Sequence, residues 1–276
     1  MEHVELIDGA ARAEVVPSRG AIVSRFDVGD TQVLYLDRAT LDDPTKNVRG
    51  GVPFLFPTAG RLDADRYRGR ELKQHGFARN LPFTVEHRDA RSVVLSLGAS
   101  AETGARFPFE FRVELTISLA GPELRIAQRY QNLGAERMPL HAGFHPYFFV
   151  PDDDKRRAII ETPATRAFDN VQKREVPFTG FDFSQPEVDI HLHDHGSSRC
   201  SLRRPGAPTV EIEGSAEFGH WVIWALAGKD FICVEPWTAP ANALNSGESL
   251  LWVEPGEERT LSLAIRLTEY VGVIAT

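Results

Sequence analysis

One carboxylate is unusual because its sequence neighbours are apolar. Glu235 lies in the segment FICVEPW, where the alternation of an extended chain places Phe231, Cys233, Glu235 and Trp237 on one side. Removal of a carboxyl group from water disfavours its charged form, so we expect a raised pKa for Glu235. A carboxyl group of this kind is suited to general acid or base catalysis near neutral pH.

A histidine in an aromatic segment is the second candidate. The segment GFHPYFF contains His145, and the ring of Pro146 restrains the backbone beside it. His141 lies on the same face at the strand period, and Gly143 between them is expected to leave room for a ligand. An isolated histidine in apolar surroundings is commonly a core residue. The neighbouring His141 and Gly143 favour a catalytic role for His145 instead.

Two glycine-containing segments supply further polar side chains. Residues 49–61 read RGGVPFLFPTAGR and begin and end with arginine, and residues 74–79 read QHGFAR and hold His75 and Arg79. Glycine allows a backbone to approach a ligand closely. A turn that enters the core and a surface loop with a structural histidine remain alternative interpretations of these two segments.

The composition is typical of a globular protein with a large core. The chain has 276 residues, of which 42% are hydrophobic, and its formal net charge is -8. Its basic residues are not concentrated in a stripe, so neither nucleic acid nor an anionic membrane surface is an expected partner. No apolar run reaches the ~20 residues of a membrane-spanning helix, and the first residues, MEHVE, lack the pattern of a signal peptide. Cys233 lies in an apolar run, which favours a free thiol over a disulfide with Cys200, so we predict a reduced, cytoplasmic enzyme.

The elements that must position these residues are predicted to be short β-strands. Apolar and polar residues alternate across 110–119, which is typical of a strand with one buried face. Gly121 and Pro122 separate this run from a second one at 123–131, so the two are predicted to form a hairpin. Further strands are predicted at 3–7, 12–16, 21–27, 32–36, 92–98, 209–213, 220–225, 231–234 and 260–267.

Many short strands without long helices predict an all-β protein, built as an antiparallel sandwich or barrel. Only short helical turns are expected, at 40–43 and 241–245. Residues 151–208 are polar and interrupted by proline, so they are predicted to be the most loop-like region. No linker or repeat divides the chain, and residues 1–276 are therefore predicted to form a single domain.

Together these segments resemble the aldose 1-epimerase (galactose mutarotase-like) family. The resemblance depends on motifs that occur in the family's order, namely GGVPFLFPTAGRL, HGFAR, GFHPYF, CVEPWT with the following ALN, and EPGE. It implies a large antiparallel β-sandwich, a supersandwich, with a sugar cleft on one face. The reaction it implies is the interconversion of α and β anomers of a small-molecule sugar, without a metal or redox cofactor, by a monomer or homodimer.

The resemblance also implies roles for individual residues. Glu235 is expected to remove the proton of the anomeric hydroxyl, and His145 is expected to protonate the ring oxygen. The residues expected to bind the sugar are Arg61, His75, Asp194, Arg79 and Trp237. Asp194 is matched to the aspartate that binds the sugar in the family, although the sequence around it departs from the family pattern. Trp237 either faces the sugar or belongs to the core.

Two alternatives share this fold. The arginines of RGGVP and HGFAR, Arg49 and Arg79, resemble those of a hexose-6-phosphate 1-epimerase branch, in which arginines bind a phosphate through their paired donors. A non-catalytic sugar-binding module is the other alternative, although it has no need of an apolar-flanked carboxylate opposite a histidine.

A metal enzyme is a further alternative from a different class. The run HLHDH places His191, His193 and His195 at the strand period, and three imidazoles on one face are able to bind a metal ion. The spacing is one residue short of a metallo-hydrolase pattern, and no later ligand set is evident, so no metal site is predicted.

Overall fold

Short strands account for most of the chain. The computed structural model describes residues 1–268, and residues 269–276, the end of the predicted single domain, lie outside the described residues. The first strands are β1 Val4–Asp8, β2 Ala11–Val16, β3 Ile22–Val28, β4 Thr31–Gln32, β5 Phe54–Leu55, β6 Arg66–Tyr67, β7 Arg70–Glu71, β8 Thr84–Arg88, β9 Ser92–Gly98, β10 Phe111–Ala120, β11 Glu123–Asn132 and β12 Met138–Leu140. The later strands are β13 Gly143–Phe144, β14 Tyr147–Phe149, β15 Ile159–Glu161, β16 Arg166–Asp169, β17 Arg174–Pro177, β18 Glu187–Leu192, β19 Arg199–Arg203, β20 Thr209–Gly214, β21 His220–Leu226, β22 Phe231–Trp237, β23 Leu251–Val253 and β24 Glu258–Thr268.

Helical structure is limited to short pieces. The α-helices are α1 Arg38–Asp42, α2 Ala101–Gly104 and α3 Ala243–Ser246, and single 3₁₀ turns occur at Pro17–Arg19, Asp63–Asp65, Ala78–Asn80 and Asp152–Arg157. None of the helices within residues 1–268 has the length and apolar composition that a bilayer crossing requires. The short helices α1 and α3 lie close to the two helical turns that the sequence predicts.

Two eight-stranded antiparallel sheets make up most of the fold. The first sheet has the order β15-β19-β20-β24-β11-β10-β9-β8. The second sheet has the order β17-β16-β18-β21-β22-β13-β5, and β14 pairs with β22 beside β13. A four-stranded sheet, β1 to β4 in order, and the two-stranded sheets β12-β23 and β6-β7 complete the structure.

Aromatic side chains join the two large sheets. Phe54 of the second sheet packs on Tyr130 of the first at 6.2 Å between ring centroids, and Phe56 packs on Phe111 at 5.1 Å. These rings belong to one continuous core to which both sheets contribute. Full burial of a large apolar side chain contributes about 1.5–3 kcal/mol to folding, so this layer fixes the second sheet as a rigid support.

The predicted all-β antiparallel architecture is confirmed. Strand β9 has the predicted bounds, and β10 and β11 form the predicted hairpin with Leu119 opposite Leu124. The alternation of buried and partly exposed residues along β10 shows why the period-two pattern was informative. The described residues therefore form a large antiparallel β-structure with a few short helical turns.

Three predicted boundaries are corrected by the structure. Residues 151–208 are not the loop-like region that the sequence predicts, because they contain the five strands β15 to β19. Strand β22 continues to Trp237 instead of ending at residue 234. In the predicted strand 32–36, only Gln32 belongs to a strand, β4; residues 34 and 36 form isolated bridges.

Gly143 fills a different role from the predicted one. A methyl group at this position would lie 2.6 Å from Cβ of Ala59 and 2.9 Å from Cδ1 of Trp237. The space beside Gly143 is therefore filled by protein, and it is not room for a ligand. The glycine is required because β13 packs closely on its neighbours.

We expect Gly143→Ala to destabilise the protein by about 1–3 kcal/mol, because the added methyl group overpacks the contact with Ala59 and Trp237. Urea denaturation measures the change. Gly98→Ala is the matched control, since a methyl group there meets no atom within 4 Å. Equal stability of the two variants would contradict this account of Gly143.

Candidate active site

Strand register brings His145 and Glu235 together. Gly143 pairs with Trp237, and Tyr147 pairs with Cys233. His145 is midway between Gly143 and Tyr147, and Glu235 is midway between Cys233 and Trp237, so these two residues lie opposite each other. The Nε2 atom of His145 lies 3.3 Å from Oε1 of Glu235. Both side chains point to the face of the second sheet that is turned away from the core.

The segment 49–61 holds the histidine in place. The backbone N–H of His145 donates to the carbonyl oxygen of Pro53 at 3.1 Å, and the N–H of Tyr147 donates to that of Gly51 at 2.9 Å. Gly51 has a φ of 63°, and a methyl group there would lie 2.4 Å from the carbonyl oxygen of Val23. Only glycine fits this crossing, which explains the paired glycines of the motif.

Aromatic rings surround the pair and exclude water. Glu235 is 2% exposed and His145 is 7% exposed. The ring of Tyr147 stacks on the imidazole at 4.7 Å between centroids, and Trp224 meets its edge at 5.7 Å. Two buried atoms of the pair, Nδ1 of His145 and Oε2 of Glu235, have no hydrogen-bond partner among residues 1–268. A ligand in the cleft is able to satisfy these atoms.

Burial pushes both groups toward their neutral forms. Burial raises the pKa of Glu235 well above its ordinary value, and the negative charge of Asp189 adds to this shift, whereas Trp237 and Arg79 oppose it. Burial lowers the pKa of His145 to about 3, and the positive charge of Arg79 acts in the same direction. A pair in contact titrates as a unit, so a single proton is shared between the two side chains over a wide pH range.

The pair opens onto a cleft of about 380 Å³. That volume is adequate for one monosaccharide. Most of the lining residues are polar, and they come from segments of the chain that are distant in sequence. The lining residues are Asn47, Val48, Arg49, Arg61, Gln74, His75, Arg79, His145, Tyr147, Asn170, Lys173, Glu187, Asp189, His191, Val222, Trp224, Glu235, Trp237 and Ala241.

Strand β18 supplies an ionised carboxylate to the cleft. Nδ2 of Asn170 lies 2.5 Å from Oδ2 of Asp189, and Nε2 of His191 lies 3.4 Å from Oδ1. Burial acts to raise the pKa of Asp189, but the hydrogen bonds from His191 and Asn170 outweigh it, and the pKa lies below its ordinary value. Asp189 therefore offers a fixed acceptor to a sugar hydroxyl.

The predicted residue His75 reaches the cleft from its loop. Its Nδ1 contacts the carbonyl oxygen of Ala59, so this nitrogen is the donor and Nε2 remains free to accept. Burial and the positive charge of Arg79 lower the pKa of His75 well below its ordinary value, which keeps the ring neutral. The next residue, Gly76, has no room for a side chain, because a methyl group would lie 2.2 Å from the carbonyl oxygen of Phe56.

Arg49 and Arg79 both line the cleft. The guanidinium of Arg49 lies over the ring of Trp224 at 5.7 Å. Arg79 donates to the carbonyl oxygen of Gln74 at 3.4 Å, and its buried Nε has no partner among the described residues. Neither arginine forms an ion pair with a carboxylate within residues 1–268, so both are available to an anionic group.

Three other predicted site residues lie in different positions. Arg61 is at the rim of the cleft, where both Nε and a terminal nitrogen bind Asp65 at 3.1 Å. Trp237 is 3% exposed and forms part of the floor. Asp194 lies outside the cleft, because its carboxylate binds the backbone and hydroxyl of Thr165 and the backbone of Arg166. The structure therefore replaces Asp194 with Asp189 as the aspartate of the cleft.

The three histidines of HLHDH do not converge. His191 binds Asp189, and Nε2 of His193 lies 3.4 Å from Oε1 of Glu175. Both ring nitrogens of His195 are engaged, one with Thr162 and the other with the carbonyl oxygen of Arg199. Strand β18 ends at Leu192, so the alternation that would align the three side chains does not continue.

Several cleft residues were not predicted from the sequence. They include Tyr147, Asn170, Asp189 and Trp224. A signal for Asp189 was present, because Val188, Ile190 and Leu192 alternate with polar residues along β18. A signal for Trp224 was present as well. The predicted strand 220–225 places Trp224 on the same face as Val222, and Val222 lies opposite Glu235 in the sheet.

Comparison with known proteins agrees with this fold. The sequence matches the family described as aldose 1-epimerase over residues 2–266. The Slr1438 protein from Synechocystis sp. PCC 6803 is 36% identical, with a TM-score of 0.92 over 97% of this chain and 96% of that chain. A galactose mutarotase related enzyme from Lactobacillus acidophilus shares the fold at 19% identity, with a TM-score of 0.79 over 97% of this chain and 98% of that chain. A Cenchrus ciliaris protein named "Putative glucose-6-phosphate 1-epimerase" is 29% identical over 89% of this chain and 78% of its own length.

The chain belongs to the aldose 1-epimerase family. It is therefore an isomerase of the class that acts on carbohydrates. The resemblance that the motifs predict is confirmed over nearly the whole chain.

The buried histidines predict a loss of stability in acid. Burial lowers the pKa of His141 to about 4, and its ring accepts from Thr58 and donates to the carbonyl oxygen of Ala239. Between the ordinary value of 6.5 and about 4, the unfolded chain binds a proton that the folded protein does not. Stability therefore falls as the pH decreases through this window, by on the order of 3 kcal/mol from this residue.

Urea denaturation at several pH values from 7.5 downward measures this dependence. We expect His141→Gln to flatten the slope of stability against pH. His87→Gln is the control, because His87 is an exposed residue of β8. An unchanged slope in the His141 variant would refute the assignment.

Proposed function

We propose that this protein interconverts the α and β anomers of an aldohexose, with Glu235 as the base and His145 as the acid. The observation that supports this reaction best is the contact of 3.3 Å between the two side chains at the floor of a polar cleft. Anomer exchange requires one proton acceptor and one proton donor that act on neighbouring oxygens of the sugar.

Ring opening transfers two protons. Glu235 takes the proton of the C1 hydroxyl, His145 donates a proton to the ring oxygen, and the bond between C1 and that oxygen breaks to give an aldehyde. Rotation about the C1–C2 bond presents the other face of the aldehyde. In ring closure the freed hydroxyl attacks C1 and returns its proton to His145, while Glu235 returns its proton to the aldehyde oxygen.

Burial of the pair favours the open-chain stage. Ring opening converts an ionised Glu235 and a protonated His145 into two neutral groups. These neutral forms are the ones that burial stabilises, as the raised pKa of Glu235 and the lowered pKa of His145 indicate. A water-poor site therefore lowers the free energy of the intermediate relative to the charged pair. Sugar hydroxyls that donate to Glu235 favour its ionised form when the closed ring binds.

The remaining cleft residues position the sugar in this proposal. Asp189 and His75 supply acceptors for hydroxyl groups. Trp224 is partly exposed, and its indole N–H donates to Glu187 at 2.9 Å, which fixes the ring plane. An aromatic face of this kind packs on the C–H groups of a pyranose. Trp224 is better placed for this contact than Trp237, which is almost fully buried.

Glu235→Gln tests the catalytic proposal. We expect the rate of anomer exchange to decrease by about 10²- to 10⁴-fold, since the amide cannot accept the C1 proton. Polarimetry with freshly dissolved α-glucose or α-galactose measures the rate. Glu248→Gln, a change of an exposed glutamate, is the matched control. A catalysed rate that is undiminished in the Glu235 variant would rule out Glu235 as the base, and a wild-type rate no higher than the uncatalysed rate would favour a non-catalytic sugar-binding protein.

A phosphorylated hexose is the second candidate substrate. The two unpaired arginines of the cleft, Arg49 and Arg79, favour it, because guanidinium groups bind phosphate through paired donors. The name of the Cenchrus ciliaris relative points to the same substrate class.

Comparison of glucose, galactose and glucose 6-phosphate separates the two candidates. If the phosphate is bound, Arg49→Ala raises KM for glucose 6-phosphate about 10- to 100-fold, in line with the loss of a charge-assisted hydrogen bond. The KM for glucose then remains unchanged. A similar KM change for both sugars would assign Arg49 to the sugar ring or to the packing of Trp224.

A further inference from the structure

A thiol lies beside the catalytic pair. Cys233 precedes Glu235 by two residues on the same face of β22, and it pairs with Tyr147 across the strands. One ligand atom from each of His145, Cys233 and Glu235 lies within 4.8 Å of the other two. Within residues 1–268 this is the one group of three or more histidine, cysteine and acidic side chains that approach so closely.

The three side chains match the donor preferences of zinc. Thiolate, imidazole and carboxylate are its usual protein ligands, with bond lengths of about 2.0–2.3 Å. In a tetrahedral site such bonds place the donors about 3.4 Å apart. The 3.3 Å between His145 and Glu235 already matches this separation. The thiol of Cys233 lies within 4.8 Å of the other two ligand atoms, so binding of an ion requires this side chain to move closer.

Two further features point to a ligand at this position. Oε2 of Glu235 is buried and has no hydrogen-bond partner among the described residues. Burial also keeps the thiol protonated, since it raises the pKa of Cys233 well above its ordinary value. A divalent cation displaces the protons of Cys233 and Glu235, and the ion with its two anionic ligands is then neutral overall. Charge balance therefore allows the ion to be buried.

We propose that His145, Cys233 and Glu235 form a binding site for a thiophilic divalent cation such as Zn²⁺, and that the bound ion inhibits the enzyme. The ion occupies the atoms that transfer protons, so anomer exchange stops while it is bound. The fourth position is open to water or to a sugar hydroxyl. Inhibition depends on the proposed function, whereas binding of the ion does not.

Titration of the untagged protein with Co²⁺ tests binding directly. Cobalt replaces zinc in such sites, and its bond to a thiolate produces an absorption band in the near ultraviolet. We expect the band in the wild-type protein, its displacement by Zn²⁺, and its loss in Cys233→Ala. Cys200→Ala is the matched control, because Cys200 lies on β19 of the first sheet with its thiol bound to the carbonyl oxygen of Glu161, and this variant retains the band.

A second variant protects the test against misfolding. Glu235→Gln keeps the size of the side chain and removes the anionic ligand, so Co²⁺ binding is expected to weaken while the protein remains folded by circular dichroism. No thiolate band in the wild-type protein, or an unchanged band in Cys233→Ala, would overturn the proposed site.

The kinetic experiment adds Zn²⁺ to the anomer exchange assay. We expect reversible inhibition of the wild-type and Cys200→Ala proteins, relieved by a chelator, and little inhibition of Cys233→Ala. Equal sensitivity of all three would overturn the inhibitory role. If none of the proteins catalyses exchange without metal, the proposed function fails, and the cobalt titration still decides whether the site exists.

Discussion

The site depends on one pairing register in the second sheet. Gly143 opposite Trp237 and Tyr147 opposite Cys233 leave His145 no position except opposite Glu235. A shift of one residue would turn the histidine toward the core and separate the pair. The register is held by the close packing at Gly143 and by the aromatic layer that joins the two large sheets. The chemistry is therefore specified by backbone pairing as much as by the identities of the side chains.

The same arrangement determines the electrostatics of the cleft. The pair lies on a sheet whose other face is core, and the rings of Tyr147 and Trp224 pack against the imidazole of His145. Water is excluded, so neutral forms of Glu235 and His145 are favoured and one proton serves both. Farther out, Asp189 remains ionised because Asn170 and His191 donate to it. The same sheet therefore holds a water-poor pair, His145 and Glu235, and close to it an ionised carboxylate, Asp189.

The sequence predicted the fold well where one strand face is wholly apolar, as in β9 and β10. It was wrong for residues 151–208, since strands such as β18 line the cleft and carry polar residues on one face. The same mistake concealed Asp189 and led to Asp194, which lies beyond the end of β18. Glu235 was detectable because its neighbours in sequence are apolar. His145 needed its partner, and that contact arises from pairing between segments about 90 positions apart, which local pattern cannot show.

The order of strands in the second sheet separates two kinds of residue in space. The proposed base Glu235 lies on β22 and the proposed acid His145 lies between β13 and β14, which both pair with β22, whereas Asn170 and Lys173 come from the turn between β16 and β17 at the edge of the sheet. Edge hairpins tolerate insertion and substitution far better than central strands. Changes in this hairpin therefore alter the lining of the cleft without moving the strands that hold His145 beside Glu235. The same division makes residues 170–173 the natural segment for directed evolution of new substrate preference.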